Sequence, residues 1–138
     1  MAEIQRAPEM IDWDVEAMFA AVERVAGDDL RAFVEYDAER YNPVYIAPMV
    51  VEEYGENGDI TAFAETIHSY VKLDFSEREM YRDLYDRGTD GMGFATFLEG
   101  SIVVRYVFDE TALYVSLRAQ ESPREVIRAI ESVVEDDG

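Results

Sequence analysis

Residues 31–48, RAFVEYDAERYNPVYIAP, alternate apolar and polar side chains in two runs that flank a polar turn. This period of two indicates β-strands, because successive side chains of a strand point to opposite faces of the sheet. The stretch therefore predicts a β-hairpin whose second strand runs over residues 41–47. Because Pro43 cannot donate to a strand ladder, we expect this second strand at a sheet edge or a bulge. The first strand is expected to place four apolar residues on one face: Leu30, Ala32, Val34 and Tyr36.

Three carboxylates occupy alternate positions in the hairpin: Glu35, Asp37 and Glu39. A cation would need their oxygens within about 2.1–2.6 Å of one point. Alternate residues on one strand face are roughly 6.5–7 Å apart. We therefore interpret the three carboxylates as the turn and the solvated outer face of the hairpin, and we predict no metal site.

The chain is strongly acidic. Its 138 residues include 31 Asp and Glu against 12 Lys and Arg, for a net charge of −19, and Lys72 is the only lysine. The acids are spread over every segment. Molar salt screens such repulsion over a Debye length of about 3 Å. The composition therefore predicts a cytoplasmic protein of a high-salt cytosol, as in haloarchaea, whose charge is an adaptation to solvent and not the mark of a ligand.

The same composition excludes several classes of function. Without cysteine there is no disulfide framework, no thiolate zinc site and no cysteine nucleophile. The negative charge argues against nucleic acid as a partner, since phosphate backbones are bound by Lys and Arg. No leader and no apolar run of 18 residues is present, so we expect a soluble protein without a membrane partner.

Helix signals surround the hairpin. Asp12 is the expected cap of a first helix that ends at Gly27, and Asp59 is the expected cap of a middle helix. The sequence SERE, with Ser76 as cap, predicts an additional helix over 76–87. Ser122 and Pro123 open a last helix with an apolar stripe. One further helical turn is expected in the segment PMVVEEY.

The last third of the chain predicts three strands in FATFL, SIVVRYVF and TALYVSL. A two-residue turn at Asp109-Glu110 sets a register in which the bulky apolar residues all fall on one face. In that register Tyr106 faces Leu113, and Val104 faces Val115. The opposite face is half apolar and carries Arg105 beside Tyr114.

Together these elements predict an α+β fold with a single antiparallel five-stranded sheet, helices on its faces, and the order α-β-β-α-α-β-β-β-α. We expect residues 1–9 to be a flexible N-terminal arm, residues 10–135 to be one domain, and residues 136–138 to be a short acidic tail. One domain is the usual expectation for this length.

Few residues point to chemistry. DRGTDGMGF begins like a calcium loop at Asp86, but Gly88 and Phe97 stand where ligands are required. Gly91 and Gly93 lack the third glycine of the dinucleotide-binding motif, so they do not indicate a nucleotide site. We predict no cofactor. His68, the single histidine, is interpreted as a packing or interface residue. Arg105 is expected to pair with a carboxylate or to stack on Tyr114, and with Tyr114 it is the possible anchor of an anionic ligand.

The order of elements is similar to that of the roadblock family of dynein light-chain-like proteins. The blocks LRAFVEYD and YNPVYIAP and the C-terminal meander also resemble a family of small acidic haloarchaeal proteins. The additional helix at 76–87 departs from the simplest roadblock pattern. The resemblance implies a non-catalytic homodimeric scaffold or regulator, with a partner such as a small GTPase. The middle helix supplies the interface candidates: Ile60, Phe63, Ile67, His68, Tyr70 and Val71.

Two alternatives remain open from the sequence. The first is a small-molecule sensor with a pocket between the sheet and the additional helix, anchored by Arg105. The second is a small enzyme that depends on Asp or Glu.

Overall fold

A computed structural model describes residues 2–54, 59–85 and 91–137, with the backbone alone at 54, 59, 60, 136 and 137. The described residues form five helices and five strands. Along the chain they are α1 (Val15–Ala26), β1 (Leu30–Tyr36), β2 (Tyr41–Ile46), α2 (Pro48–Tyr54), α3 (Asp59–Val71), α4 (Asp74–Tyr85), β3 (Met92–Phe97), β4 (Ser101–Val107), β5 (Ala112–Arg118) and α5 (Pro123–Asp137). One turn of 3₁₀-helix, Gly27–Asp29, joins α1 to β1. No helix within these ranges is both long and apolar enough to cross a bilayer.

The strands form a single antiparallel sheet in the order β2-β1-β5-β4-β3. The predicted α+β fold and its order of elements are confirmed. β2 lies at an edge, as Pro43 requires, and the β1–β2 register shifts between Phe33 and Val34. β1, the first strand of the chain, pairs with β5, the last. The centre of the sheet is therefore formed by strands that lie far apart in sequence.

The register predicted for the C-terminal meander is confirmed. Tyr106 pairs with Leu113, and Val104 pairs with Val115. The turn that fixes this register closes when the amide of Phe108 donates to the carbonyl of Thr111 at 2.9 Å. Every bulky apolar residue of β4 and β5 predicted for one face is buried there. A register shifted by one residue would have turned the whole set to the opposite face of the sheet.

Helices α1 and α5 cover that face and complete the main core. Phe19 of α1 meets Phe33 of β1 edge to face, with ring centroids 5.3 Å apart. Burying one such large side chain stabilises the fold by about 1.5–3 kcal/mol. The largest fully buried apolar side chains of this core are Met18, Val22, Leu30, Phe33, Val44, Val104, Leu113, Leu117 and Ile130.

The helix ends follow local chemistry, with two corrections to the predictions. Asp14, and not Asp12, caps α1, since its carboxylate accepts from the amide of Ala17 at 3.0 Å. α4 begins at Asp74, so Ser76 lies inside the helix and is not its cap. Gly27 ends α1 as predicted, at a positive φ of 54° that favours glycine.

The predicted face of β1 is wrong at one residue. Ala32, Val34 and Tyr36 share the face that α3 and α4 cover, whereas Leu30 is buried on the opposite face, in the main core. The pairing of β1 with β5 shifts between Leu30 and Ala32, and an irregularity of this kind adds a residue and turns the side chains beyond it to the other side.

The face of the sheet that carries α3 and α4 is only partly packed. Near the start of α4, Tyr36, Val107 and Ala112 are buried, with Phe75 and Phe94 against them. Towards α2 the same sheet face lies below α3 without close packing. Because α3 packs less closely on this face than the start of α4 does, a cavity lies between α3 and the sheet.

The domain limits stay predictions, as does the flexibility of residues 1–9. The structure places part of this arm against β2, where the amide of Gln5 donates to the carbonyl of Val44 at 2.8 Å. Several predicted features lie outside the described residues: the loop at 55–58, the calcium-like segment from Asp86 to Asp90, the helix end at Gly88, and the end of the acidic tail at Gly138.

Candidate functional site

Large apolar side chains that face solvent are confined to one part of the described chain. They all lie between Val51 and Leu98, on α2, α3, α4, the end of β3 and the turns that follow α3 and β3, while the described parts of α1, α5 and the other strands contribute none. Exposed apolar residues that adjoin one another in space mark interaction sites more often than single ones do. We call this set the 51–98 surface: Val51, Phe63, Tyr70, Leu73, Met80, Tyr81, Leu84, Tyr85, Phe97 and Leu98.

Helix α4 carries the densest part of the 51–98 surface. Met80 and Leu84 lie four residues apart, as do Tyr81 and Tyr85, so each pair lies on one side of the helix. The two tyrosine rings stack with centroids 6.0 Å apart. Tyr81 also meets Phe94 of β3 at 6.3 Å, which joins α4 to the edge strand.

A cavity of about 180 Å³ separates α3 from the sheet. Its floor is the face of β1, β2, β4 and β5, and its roof is the inner side of α3. Val50 of α2 and Leu98 of the β3–β4 turn line it as well, whereas no residue of α4 does. The α3 residues that line it are Phe63, Ala64, Ile67, His68 and Val71.

A buried ion pair lies beside this cavity, at the start of α4. Nε of Arg105 is 3.0 Å from Asp74 Oδ2, and the Tyr36 hydroxyl donates to the same oxygen at 3.1 Å. Burial, and then the Asp74 carboxylate, raise the pKa of the Tyr36 hydroxyl above its ordinary value. The prediction that Arg105 pairs with a carboxylate is confirmed. The cluster ties the first turn of α4 to the middle of the sheet.

Arg105 is further held by Thr96, whose hydroxyl accepts from Nη1, and its guanidinium lies 5.8 Å from the ring centre of Phe94. Tyr114 is its cross-strand neighbour, as predicted. Tyr114 lines the cavity and Arg105 does not. The role of the pair as a ligand anchor stays a prediction.

His68 closes the cavity at the hairpin end. Its Nε2 lies 2.8 Å from the carbonyl oxygen of Asp37, and its ring contacts those of Tyr36 and Tyr41 at 6.3 and 5.4 Å. These contacts fit the predicted packing role of the single histidine. Through them α3 is attached to the β1–β2 turn.

Glu35 corrects the interpretation of the carboxylate row. Its side chain is 0% exposed, where a solvated outer face was expected. Oε2 accepts from the amide of Glu9 at 2.6 Å and from Nδ2 of Asn42 at 2.7 Å, while Oε1 accepts from the amides of Met10 and Ile11 at 3.1 Å. Four donors replace water around the buried charge, as a buried carboxylate requires.

The other two carboxylates of that row remain at the surface. Asp37 forms a turn in which its Oδ1 accepts from the amides of Glu39 and Arg40 at 2.8 and 2.7 Å. Glu39 is exposed. Among the described residues the two buried carboxylates, Glu35 and Asp74, thus both have structural partners, and neither lines the cavity.

The structure divides the predicted interface residues between two sides of α3. Phe63, Ile67, His68 and Val71 line the cavity, whereas Tyr70 points outward and is 69% exposed. The side chain of Ile60 lies outside what the structure describes. Whether these residues form an interface stays a prediction.

The structure is similar to the crystal structure of a Roadblock/LC7 domain from Streptomyces avermitilis. The two chains share 13% sequence identity at a TM-score of 0.53, over 88% of this chain and 94% of that one. This chain has the Roadblock/LC7 fold. The predicted roadblock topology is therefore confirmed, although no family model matches the sequence and no curated protein matches it.

Within the Roadblock/LC7 fold, α3 is the predicted middle helix and α4 is the predicted additional helix. The sensor alternative predicted a pocket between the sheet and the additional helix with Arg105 as its anchor, whereas the cavity lies below α3 and neither α4 nor Arg105 lines it. Sequence reasoning did not find the 51–98 surface. The apolar stripe of α3 predicted a contact, but a stripe does not tell how closely a helix approaches the sheet. The apolar pairs on α4 were visible in the sequence as Met80 with Leu84 and Tyr81 with Tyr85, and their exposure required the structure.

Proposed function

We propose that the protein is a non-catalytic interaction module that forms a homodimer through the 51–98 surface. The observation that carries this proposal is that the exposed large apolar side chains of the described residues all lie within residues 51–98. Two copies that face each other through the same patch bury it twice, and isologous pairs of this kind are the commonest oligomers. The Roadblock/LC7 fold and the homodimer implied by the family resemblance support the same proposal.

The proposed interface extends the one predicted from α3. Tyr70 remains in it as the outward-facing residue of that helix, and Met80 and Leu84 of α4 join it. The predicted residues that line the cavity, such as Ile67, face the sheet and lie outside the proposed contact. Phe63 serves both, since it lines the cavity and is still 39% exposed.

Charge makes the proposed dimer dependent on salt. Each chain carries a net charge of −19, so two copies repel one another in dilute buffer. Raising the salt from 0.1 to 1 M shortens the Debye length from about 10 to 3 Å. We therefore expect self-association to strengthen with KCl.

Light scattering coupled to gel filtration in molar KCl tests the homodimer. We expect twice the chain mass for the wild type and the single-chain mass for Tyr70→Glu combined with Leu84→Glu. Ala20→Glu, which adds a charge at an exposed site of α1 on the other side of the sheet, is the matched control and should stay dimeric. A wild type that is monomeric at high concentration and high salt would contradict the homodimer.

The family resemblance implies a further partner such as a small GTPase, in a high-salt cytosol, and we include this partner in the proposal. Affinity capture from a native lysate in molar salt tests it. A specific partner should be retained by the wild type and by Ala20→Glu. Recovery of nothing beyond the chain itself would leave self-association as the whole function.

A further inference from the structure

The geometry points to a second site in this protein, a binding site below α3 for a small uncharged aromatic molecule that carries one hydrogen-bonding group. The site is the cavity between α3 and the sheet. This inference does not require the proposed homodimer, because only Phe63 and Leu98 belong to both the cavity lining and the 51–98 surface.

Volume sets the size of the ligand. The cavity measures about 180 Å³. An engineered apolar cavity of about 150 Å³ in another protein stays dry and binds benzene. The space below α3 therefore suits a single ring with a small substituent. Val34, Pro43, Ile67 and Val103 provide apolar walls for its faces and edges.

The charge of the lining sets the chemical class. In a chain with 31 acidic residues, no Asp or Glu is found among the described residues that line this cavity. Its two basic side chains are already engaged: Arg31 is 3.0 Å from Glu53, and His68 meets the carbonyl of Asp37. A cation would find no counter-charge here and an anion no available one. An uncharged ligand fits this lining.

Ser116 provides the polar contact. It lies on the central strand β5, lines the cavity and is only 8% exposed. Within the described residues its hydroxyl has no hydrogen-bond partner. The Ser116 hydroxyl is not among the buried unpartnered atoms of the described residues, so it is open to the cavity, where a ligand hydroxyl or ring N–H can hydrogen-bond to it. The Ser116 hydroxyl thus selects a ligand with one polar group over a pure hydrocarbon.

Titration with phenol, with toluene as the probe that lacks a hydroxyl, tests the site by NMR of the full chain in molar KCl. We expect saturable shifts for residues around the cavity and tighter binding of phenol than of toluene. Ser116→Ala should weaken phenol binding by roughly 2- to 10-fold, the value of one hydrogen bond, and leave toluene binding unchanged.

A pair of tryptophan variants on α3 locates the probe. Ala64 lines the cavity, whereas Ala62 is exposed on the same helix. Ala64→Trp should fill the space and abolish binding, while Ala62→Trp should bind phenol like the wild type. Non-saturating shifts, unchanged binding to Ala64→Trp, or an equal loss of phenol and toluene in Ser116→Ala would each overturn the proposal. If Ala64→Trp fails to fold, the Ser116→Ala comparison decides alone.

Discussion

At the scale of single residues, Glu35 shows how a buried charge can organise backbone. Its two oxygens accept from three successive amides, those of Glu9, Met10 and Ile11, and from Asn42 on the neighbouring strand. The carboxylate attaches the segment before α1 to the hairpin. The alternation of the sequence placed Glu35 on a strand correctly. It could not show that a segment about 25 residues earlier would cover it.

Glu35→Gln should therefore be much more destabilising than its small change in shape suggests. The amide nitrogen of glutamine would face backbone donors in place of an acceptor, at a cost of about 3 kcal/mol. Urea unfolding measures this loss, and hydrogen exchange should show reduced protection at residues 9–11. Glu39→Gln, at the exposed end of the same hairpin, should change stability by less than about 0.5 kcal/mol.

Tyr36 gives the fold a sensitivity to alkali. Burial and the neighbouring Asp74 raise the pKa of its hydroxyl above the ordinary 10.0. Above pH 10.0 the Tyr36 hydroxyl is deprotonated in the unfolded chain but still protonated in the folded chain, so the free energy of unfolding should fall as the pH rises. Unfolding curves from about pH 8 to 11 should show a shallower decline for Tyr36→Phe. An identical slope in the variant would contradict this assignment.

At the scale of elements, two aspartates near the start of α1 have different roles. Asp14 caps the helix through the amide of Ala17, whereas Asp12 is exposed two residues earlier. Asp14→Ala should cost about 1 kcal/mol, the usual value of a helix cap. Asp12→Ala is the matched control and should leave the free energy of unfolding nearly unchanged. Equal effects of the two substitutions would contradict the assigned cap.

The helices and strands also show which structural features can be predicted from the sequence. The register of the meander was predicted because its evidence is local: a two-residue turn at Asp109-Glu110 that places the bulky apolar residues of both strands on one face. The strand ends differ from the prediction by one or two residues. The face of Leu30 was missed because the shift in β1 depends on its partner strand. The height of α3 above the sheet depends on the sum of several side chains on two elements, and no local pattern encodes it. Hence the elements and their order were predictable, and the position of the cavity was not.

At the scale of the whole molecule, charge repulsion should govern stability. Raising KCl from about 0.1 to 2 M should increase the melting temperature by roughly 10 °C, the equivalent of about 2 kcal/mol of repulsion removed. Thermal unfolding followed by circular dichroism measures this. A variant with Glu52→Gln, Glu79→Gln and Glu135→Gln, all exposed, should show a smaller increase. A melting temperature that is flat or falls with KCl would contradict the predicted adaptation to a high-salt cytosol.

The pairing of β1 with β5 has a consequence for biosynthesis. One edge of β1 pairs with β2 in the hairpin, but its other edge pairs with residues 112–118, so the middle of the sheet cannot assemble until almost the whole chain has been translated. Pairing between distant segments is slow, because the loop between them must be closed first. During that interval the β1–β2 hairpin and the apolar residues of α3 and α4 lack their cover. Nascent chains are then most exposed to aggregation, and the high density of negative charge along the chain keeps them apart.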